Sequence, residues 1–428
     1  MAAAVKATVP DEACAQAAAA HDTPLYLYSA AELDASATEA LEFPAPYGLT
    51  VRYAMKACPN AAIIGILVGR GLCIDASSTY EAARAIAAGV SPRKICISSQ
   101  ELRADFGELV EVGVELNACS LRQLATIGKQ FPGASVGVRF NPGMGSGAFG
   151  RTNVGGPDAS FGIWHENMDE VKKVAAEYKL KIIRVHTHIG SGSDPEVWAK
   201  VSKLSIDMCR HFPEATVLNL GGGYKVARMP DEASTCLQSA GAPVRKALEV
   251  FAEETGRKLH LEIEPGAFLV ARAGVLVARV QDIVTTGDKG RRFLKLDTGM
   301  TEMLRPQMYG AMHGMRLVRP GDAGGEPVGE QRYVVVGHCC ESGDIFTPKQ
   351  HEPEVVDERS LPKAAVGDLL VIEGAGAYCA SMSAKHYNSY PEAPEVLLGH
   401  DGEVHLIRAR QSAEQLWENE VALPDGVI

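Results

Sequence analysis

The sequence lacks the features that accompany zinc sites, disulfide frameworks and membrane spans. Its ten cysteines are scattered without a CxxC pair, which argues against a structural zinc and against disulfides, and favours a reducing compartment. The longest apolar runs, such as residues 61–68, stop far short of the roughly 20 residues that span a bilayer. The sequence therefore predicts no membrane partner and no metal.

A surplus of basic residues is also missing. The formal net charge is −11 and the isoelectric point is near 5.6, so no cationic surface is available to neutralise nucleic-acid phosphates. Residues 1–20 are rich in alanine but contain Asp11 and Glu12 and no uninterrupted apolar segment after a basic start. They do not resemble a secretion signal. We expect a cytoplasmic protein without a nucleic-acid partner.

The chain is long enough for two hydrophobic cores. It has 428 residues, of which 46% are hydrophobic and 22% are charged. These values are ordinary for a globular protein, and the length exceeds what one core usually serves. We expect two domains.

Short apolar runs alternate with longer stretches at helical spacing between residues 36 and 285, a pattern typical of repeated β-α units. Eight such runs suggest a closed (β/α)8 TIM barrel, whose strand ends converge on one mouth and carry the chemistry. The predicted strand ends all carry a polar residue or a glycine and lie near Lys56, Asp75, Ser98, Asn117, Arg139, His188, Gly221 and Glu264.

The pattern changes to strand after strand beyond residue 285. Residues 286–428 therefore predict a separate β domain, with Asp401-Gly402 as a hairpin turn. The early strand of residues 24–29, within the first 35 residues, has no β-α partner and is expected to join this domain. The fold class is α/β, a TIM barrel with a second, C-terminal β domain.

Lys56 is the first candidate for chemistry. Strand alternation places it on the same side as Ala54, toward the barrel interior. Burial lowers the pKa of a lysine and makes its amine nucleophilic, as Schiff-base chemistry requires. The alternative is a structural lysine whose amine reaches the rim of the barrel.

Three further strand ends suggest a phosphorylated aromatic cofactor. Gly221 to Gly223 follow the seventh strand, the usual phosphate position in such barrels. Glu264 follows the eighth, where a carboxylate could hold a proton on a pyridine nitrogen; it could instead cap the next turn. His188 could lie against the ring, with Ser191 near the phosphate. Together with His186 it could alternatively bind a metal, a reading that the absence of suitably spaced ligands disfavours.

These residues belong to a longer set of motifs. The segments are YAMKACPN at 53–60, HIGS at 188–191, GGG at 221–223, EPG at 264–266, CES at 340–342 and GAY at 376–378. In this order they resemble the barrel-type pyridoxal-phosphate-dependent decarboxylases, which share their fold with alanine racemase and ornithine decarboxylase. Segments such as LDTGMTEMLRPQMYGAMH and VVVGHCCESGD resemble the diaminopimelate decarboxylases of that family. The resemblance covers nearly the whole chain.

The resemblance implies pyridoxal 5'-phosphate as the cofactor and a role for each matching residue. Lys56 would carry the cofactor on its amine, His188 would stack on its ring, and Glu264 would face the ring nitrogen. The remaining residues implied in cofactor binding are Asp75 and Arg139 beside the ring, Ser191, Gly222, Gly223 and Tyr378 at the phosphate, and Pro265 and Gly266 next to Glu264.

The resemblance further implies a homodimer with shared active sites, in which Cys340 and Glu341 enter from the partner subunit and Cys340 is catalytic. Arg305 and Tyr309 would bind the distal carboxylate of the amino-acid substrate, Glu341 its distal amine, and Tyr378 would also contact it. An arginine fork suits the second carboxylate that distinguishes diaminopimelate from lysine. Alternatively, Arg305 pairs across a dimer interface.

The sequence departs from the family pattern at two notable positions. Ala267 stands where an arginine usually follows EPG, and His338 replaces a common proline before Cys-Cys-Glu. The first change removes a positive charge available to the phosphate or the substrate carboxylate. Arg272 and Arg151 are candidates to replace it.

The implied reaction is decarboxylation of meso-diaminopimelate to L-lysine and carbon dioxide, the last step of lysine biosynthesis. The alternatives are a decarboxylase of ornithine, lysine or a related amino acid, an alanine-racemase-like enzyme, and a degenerate relative that acts as a binding protein. Ala267 favours the first alternative, whereas Arg305 and Glu341 oppose it. Glu264 opposes the racemase, and retention of Lys56, His188, Glu264 and Cys340 opposes the binding protein.

Overall fold

The computed structural model describes residues 7–145, 154–188, 190, 194–319 and 329–427. The chain divides into two compact units. One comprises Leu33–Ala227 and Asp231–Val270, and the other comprises Met1–Glu32, Arg228–Pro230 and Ala271–Ile428. We call them the barrel unit and the β unit.

Most α-helices of the described residues lie in the barrel unit, where they alternate with strands. In the described part of the chain no helix combines the length and the hydropathy needed to cross a membrane. The helices are α1 (Asp11–His21), α2 (Ala30–Leu41), α3 (Ala61–Gly69), α4 (Thr79–Ala87), α5 (Phe106–Glu111), α6 (Leu121–Gln130), α7 (Met168–Tyr178), α8 (Pro195–Arg210), α9 (Leu237–Thr255), α10 (Ala267–Val270) and α11 (Arg305–Tyr309).

The strands are mostly short, as expected for a barrel and a small β domain. In chain order they are β1 (Leu25–Ser29), β2 (Leu49–Ala54), β3 (Cys73–Ala76), β4 (Ile95–Ile97), β5 (Glu115–Ala118), β6 (Ser135–Asn141), β7 (Ile163–Trp164), β8 (Lys181–Thr187), β9 (Val217–Asn219), β10 (His260–Ile263), β11 (Gly274–Thr285), β12 (Arg292–Leu296), β13 (Met315–Val318), β14 (Glu330–Val336), β15 (Pro348–Lys349), β16 (Glu352–Val356), β17 (Arg359–Pro362), β18 (Leu369–Ile372), β19 (Glu395–Leu398) and β20 (Val404–Arg408).

Eight parallel strands close the barrel. They pair in the order β2, β3, β4, β5, β6, β8, β9, β10, and β10 pairs back onto β2 with Leu261 opposite Leu49. The predicted TIM barrel is confirmed. Each strand ends within two residues of its predicted end, the usual uncertainty of such boundaries.

Helices α3, α4 and α6 of the barrel unit start at side-chain caps. Asn60, Ser78 and Ser120 accept hydrogen bonds from the first turns of α3, α4 and α6. Such caps satisfy backbone N–H groups that the helix itself cannot pair. Helices α4 and α6 begin three residues after the ends of β3 and β5.

Four charged side chains fill part of the barrel interior. Nη2 of Arg52 lies 2.6 Å from Oε2 of Glu115 and 2.8 Å from Oε1 of Glu262. Arg184 contacts the same two carboxylates, at 2.6 and 2.8 Å. Burial alone would raise the pKa of Glu262, but the two arginines hold it below its ordinary value. Glu262 is therefore ionised and its charge is matched.

The β unit is built around β1. This strand lies between β11, which is antiparallel to it, and β19, which is parallel. The early strand therefore joins the β unit, as expected from the sequence. β19 and β20 form the predicted hairpin through Asp401-Gly402. Helix α1 contributes Ala13, Cys14 and Ala17 to the apolar core of this unit.

The boundary predicted at residue 285 differs from the structure, which ends the barrel unit at Val270. The reason is β11, which pairs with β1 from its first residue, Gly274 opposite Tyr28. A buried apolar strand after the last helix of a barrel has the same local pattern whichever sheet it joins. Residues 274–285 therefore belong to the β unit.

We expect Glu262→Gln to destabilise the protein strongly. The change leaves two buried arginines with one carboxylate, and breaking a buried pair costs about 3 kcal/mol or more. The midpoint of urea unfolding, followed by far-ultraviolet circular dichroism, measures the effect. As a control, Asp169→Asn removes the exposed pair with Lys172 and should leave the midpoint unchanged. Equal midpoints for the two variants would contradict the assignment.

Candidate active site

Lys56 lies just beyond the end of β2. The strand ends at Ala54, and Lys56 occupies a one-turn 3-10 helix, Met55–Ala57. Met55 and Ala57 are buried, whereas Lys56 is exposed. The prediction that Lys56 is buried at the end of the strand is therefore wrong, because the chain turns two residues earlier. The turn presents the amine outside the packed strand layer.

Glu264 is the first residue after β10 and is buried. Nδ2 of Asn219 donates to its Oε1 at 2.7 Å and to Oε2 of Glu262 at 3.1 Å. Oδ1 of the same amide accepts from the backbone N–H of Gly221 at 2.8 Å. Asn219, which sequence reasoning missed, thus ties Glu264 to both the ion cluster and the glycine segment.

His186 contacts the second oxygen of Glu264. Its Nε2 lies 3.1 Å from Oε2 of the carboxylate. Burial alone would raise the pKa of Glu264, but the contact with His186 and the charge of Arg139 hold it well below its ordinary value. Burial lowers the pKa of His186, so the ring is neutral near pH 7. The site therefore contains an ionised carboxylate beside a neutral imidazole.

His188 directly follows β8 and faces Gly221. Burial lowers its pKa well below the ordinary value, and the charges of Arg139 and Lys56 lower it further. A Cβ built on Gly221 would lie 2.7 Å from Cβ and Nδ1 of His188. Because real Cβ atoms do not approach so closely, the absence of a side chain at 221 leaves room for the imidazole.

Asp75 on β3 and Arg139 on β6 are both buried. Burial raises the pKa of Asp75 well above its ordinary value, and the charge of Glu264 adds to this, while Lys56 and Arg139 act in the opposite direction. Since the charges of Glu264, Lys56 and Arg139 change the pKa of Asp75, these groups lie near one another. The structure therefore brings together Lys56, Asp75, Arg139, His188 and Glu264 at the carboxyl ends of the strands.

The segment of Gly222 and Gly223 lies against the segment of Glu264, Pro265 and Gly266. The N–H of Glu264 donates to the carbonyl of Gly221 at 2.8 Å, and a Cβ on Gly222 would overlap the carbonyl oxygen of Glu264. Gly223 has φ +102°, a conformation that favours glycine. Ser191, predicted at the phosphate, lies outside the described residues.

The residues at the barrel mouth fit a phosphorylated pyridine cofactor. Oδ1 of Asp75 and Nδ1 of His188 are buried without a hydrogen-bond partner among the described residues, and buried polar atoms normally have one. The glycine segment offers backbone without side chains, and an ionised carboxylate suits a ring nitrogen. In the described ranges no group of three or more His, Cys, Asp or Glu residues is arranged to hold a metal.

In the β unit, Arg305 and Tyr309 lie at the two ends of α11. Cζ of Arg305 is 5.9 Å from the centroid of the Tyr309 ring. Nε of Arg305 is buried without a hydrogen-bond partner among the described residues, and the hydroxyl of Tyr309 lies 4.0 Å from Sδ of Met382. The two side chains therefore lie close to each other.

Cys340 and Glu341 lie on an exposed loop that follows β14. The N–H of Cys340 donates to Oδ1 of Asn388 at 2.8 Å. The Glu341 carboxylate accepts from the N–H of Gly343 at 3.1 Å and from the hydroxyl of Tyr387 at 3.5 Å. Backbone contacts thus fix the loop, while both side chains remain exposed.

Tyr378 has a strained backbone. Its φ is +56°, in the left-handed region that a bulky residue rarely adopts. Such strain is often found at ligand-binding sites, where the surrounding structure enforces it. The predicted role of Tyr378 in binding the phosphate is a reason to retain tyrosine there despite that cost.

The structure provides no support for Arg272 as a replacement for the arginine missing at Ala267. Nη2 of Arg272 lies 2.9 Å from Oε1 of Glu32, so a carboxylate already matches its charge. The other candidate, Arg151, lies outside the described residues.

His338 has a defined structural role. Its ring stacks on Tyr390 with centroids 3.6 Å apart, and its Nε2 lies 2.8 Å from Oγ1 of Thr301. Burial lowers the pKa of His338 to about 4. Thr301 donates in turn to Oε2 of Glu302 at 2.7 Å, and burial raises the pKa of Glu302 to about 7. A neutral histidine therefore lies near a carboxyl that titrates close to neutrality.

We expect Glu302→Gln to stabilise the protein increasingly as the pH rises. The folded pKa of about 7 lies above the ordinary value of 4.5. In the native protein, the stability contributed by protonated Glu302 is therefore fully present below the unfolded pKa. It is lost as the pH rises through 7, on the order of 3 kcal/mol in all. Melting temperatures at pH 5, 6.5 and 8 measure the effect.

The exposed residue Glu418 provides the control, because Glu418→Gln should match the native protein at all three pH values. A difference between Glu302→Gln and the native protein that does not change with pH would show that Glu302 does not titrate in this range.

We expect Gly221→Ala to weaken binding of pyridoxal phosphate at least tenfold, because the new methyl group displaces His188 (roughly one good contact, about 1.4 kcal/mol). Gly256→Ala is the matched control: φ is +69° at 221 and +70° at 256, but nothing lies within 4 Å of a Cβ on Gly256. Both should lose about 1 kcal/mol of stability through backbone strain. Absorbance titration of the apoprotein separates them, and equal affinities would contradict the prediction.

Comparison with known proteins agrees with this geometry. The family model described as "Pyridoxal-dependent decarboxylase, pyridoxal binding domain" matches residues 35–271. A diaminopimelate decarboxylase of Streptomyces coelicolor is 37% identical over 94% of this chain and 90% of its own length.

Solved structures give the same result. A crystal structure of a diaminopimelate decarboxylase has a TM-score of 0.90 and 32% identity, and the match covers 97% of this chain and 98% of the other. The Helicobacter pylori diaminopimelate decarboxylase complexed with L-lysine has a TM-score of 0.81 and 27% identity, covering 93% and 96%. With both domains matched at this identity, the chain belongs to the diaminopimelate decarboxylases of the pyridoxal-dependent decarboxylase family.

Proposed function

We propose that this protein decarboxylates meso-diaminopimelate to L-lysine and carbon dioxide with pyridoxal 5'-phosphate, as the last step of lysine biosynthesis. The observation that carries the proposal is the buried, ionised Glu264 at the barrel mouth, held by Asn219 and beside neutral His186. The chain matches enzymes of this name over nearly its whole length, and one of them is complexed with L-lysine.

The barrel unit supplies the cofactor site. Lys56 would hold the cofactor through its Nζ, and neutral His188 would pack on its ring. Asp75 and Arg139 would lie beside the ring. The residues that would bind the phosphate are Ser191, Gly222, Gly223 and Tyr378, with Pro265 and Gly266 in the adjoining segment.

When bound, pyridoxal phosphate supplies a conjugated ring that accepts the electron pair left on the α-carbon as carbon dioxide departs. Glu264 would hold a proton on the ring nitrogen, because an ionised carboxylate stabilises an adjacent N–H⁺. Its low pKa ensures that it is ionised throughout the neutral range. A protonated ring accepts an electron pair more readily than a neutral one, so holding this proton would lower the barrier to the reaction.

The β unit supplies substrate recognition and the returning proton. Arg305 and Tyr309 bind the distal carboxylate, and a guanidinium with a buried Nε that lacks a partner among the described residues suits that ligand. Glu341 binds the distal amine, and Tyr378 contacts the substrate. Cys340, or a water beside it, returns a proton to the α-carbon after the carbon–carbon bond breaks.

The assembly that we propose is a cytoplasmic homodimer with shared active sites, in which Cys340 and Glu341 of each chain serve the partner's site. The exposure of both side chains on their loop supports this arrangement. Sedimentation of the purified protein tests the dimer directly.

The first test is carbon dioxide release from meso-diaminopimelate, L-lysine and L-ornithine offered separately to cofactor-loaded protein. We expect release from diaminopimelate only, because a substrate without a distal carboxylate leaves Arg305 unpaired. Lys56→Ala should abolish it. Preference for ornithine or lysine would instead support a related decarboxylase, consistent with Ala267, and release from none would support a binding protein.

We expect Glu264→Ala to lower kcat by 100-fold or more, roughly the effect of removing one preorganised electrostatic partner, with a smaller change in cofactor affinity. Steady-state kinetics and cofactor titration on the same preparation separate the two quantities. Glu254→Ala, at an exposed position paired with Arg210, is the control. An unchanged kcat in Glu264→Ala would defeat the assignment of Glu264.

A further inference from the structure

Asp344 is a buried carboxylate without an assigned role. It lies four positions after Cys340, in the loop that follows β14, and only 2% of it is exposed. A carboxylate in such a place needs hydrogen-bond donors to offset the loss of water. Those donors come from its own loop, which carries Cys340 and Glu341, and from the segment that leads into α11.

The first donors lie in the loop that carries Cys340 and Glu341. The N–H of Cys339, which directly precedes Cys340, donates to Oδ2 of Asp344 at 2.9 Å. The backbone carbonyl of Asp344 accepts from the N–H of Gly337 at 2.9 Å. Asp344 therefore binds the backbone of the segment that leads into Cys340 at two points.

The second segment leads into α11. The N–H of Met300 donates to Oδ1 of Asp344 at 2.8 Å, and Nε2 of Gln307 approaches the same oxygen at 3.4 Å. Gln307 lies on α11 between Arg305 and Tyr309. The two oxygens of one carboxylate therefore bind different segments, one with the proposed proton donor and one with the proposed carboxylate-binding pair.

Two glycines make room for this carboxylate. A Cβ on Gly299 or on Gly337 would overlap Oδ2 of Asp344. These glycines follow β12 and β14, which pair side by side in the sheet. The glycines after two neighbouring strands thus leave space for the Asp344 side chain. A residue on the surface of the loop would not need this space.

We propose that Asp344 is a positioning residue that sets the Cys340–Glu341 loop and the Arg305–Tyr309 helix in a fixed relation to each other. The proposal rests on the proposed function, which assigns proton return to the loop and distal-carboxylate binding to the helix. In a homodimer with shared active sites, the loop and the helix of one chain serve different sites. One carboxylate per chain then positions residues for both.

The test compares Asp344→Asn with Gln307→Ala, using the exposed Gln281→Ala as a matched control. The amide of asparagine has one accepting oxygen, and its NH2 group would face a donor at the other position. The contact with either Met300 or Cys339 is therefore lost. We expect Asp344→Asn to lower kcat for meso-diaminopimelate roughly 10- to 100-fold, as a misplaced reacting group does. Gln307→Ala should raise KM about two- to fivefold, the effect of one hydrogen bond, with little change in kcat.

A second readout does not depend on the substrate. The rate of alkylation of Cys340 by iodoacetamide, followed by peptide mass spectrometry, should change at least threefold in Asp344→Asn, while that of the exposed Cys236 stays constant. A threefold change is modest, about the loss of one weak hydrogen bond. Gln281→Ala should match the native protein in every measurement.

The outcomes separate the two hypotheses. Native protein that releases no carbon dioxide from diaminopimelate overturns the proposed function, and the alkylation rates then decide the role of Asp344. Unchanged alkylation together with kcat and KM like those of the native protein in Asp344→Asn overturns the positioning role. If Asp344→Asn does not fold, an unchanged KM in Gln307→Ala overturns it.

Discussion

The pairing of Glu262 with two arginines in the barrel interior is the constraint on which the site depends. The carboxylate accepts from Arg52, Arg184 and Asn219. An unpaired charge in that position would be costly, so these side chains adopt one arrangement. Asn219 then has a fixed amide orientation, and through it Glu264 and the glycine segment are fixed as well. One hydrogen-bond network therefore both pairs the buried charges at the centre of the barrel and orients the site residues at its mouth.

The same network explains the protonation states of the site. Glu264 remains ionised although it is buried, because the amide of Asn219 donates to one of its oxygens, the His186 ring contacts the other, and the charge of Arg139 is nearby. His186 and His188 remain neutral because burial outweighs the nearby carboxylate. A cofactor ring placed here meets a fixed negative charge at one edge and an uncharged face, which is the environment that keeps a protonated pyridine stable.

The fold and most of the barrel site follow from local pattern. Eight alternating apolar runs predicted the barrel, and polar residues at their ends predicted Asp75, Arg139, His188 and Glu264 as neighbours. Asn219 and Asp344 were missed because their partners are distant in sequence: Asn219 and Glu264 are 45 residues apart, and Asp344 and Met300 are 44 apart. The domain boundary was misplaced for a similar reason, since only the pairing of β11 with β1 reveals which sheet it joins.

The central position of β1 affects how the chain folds during synthesis. Its neighbours begin at Gly274 and Glu395, so a strand made among the first 30 residues waits for nearly the whole polypeptide. At roughly 5–20 residues per second, that delay is about 20–70 seconds on the ribosome. The barrel sequence emerges within this interval, while β1 still has two unpaired edges that could recruit other chains. The N-terminal segment is therefore where chaperone protection of the nascent chain would matter most.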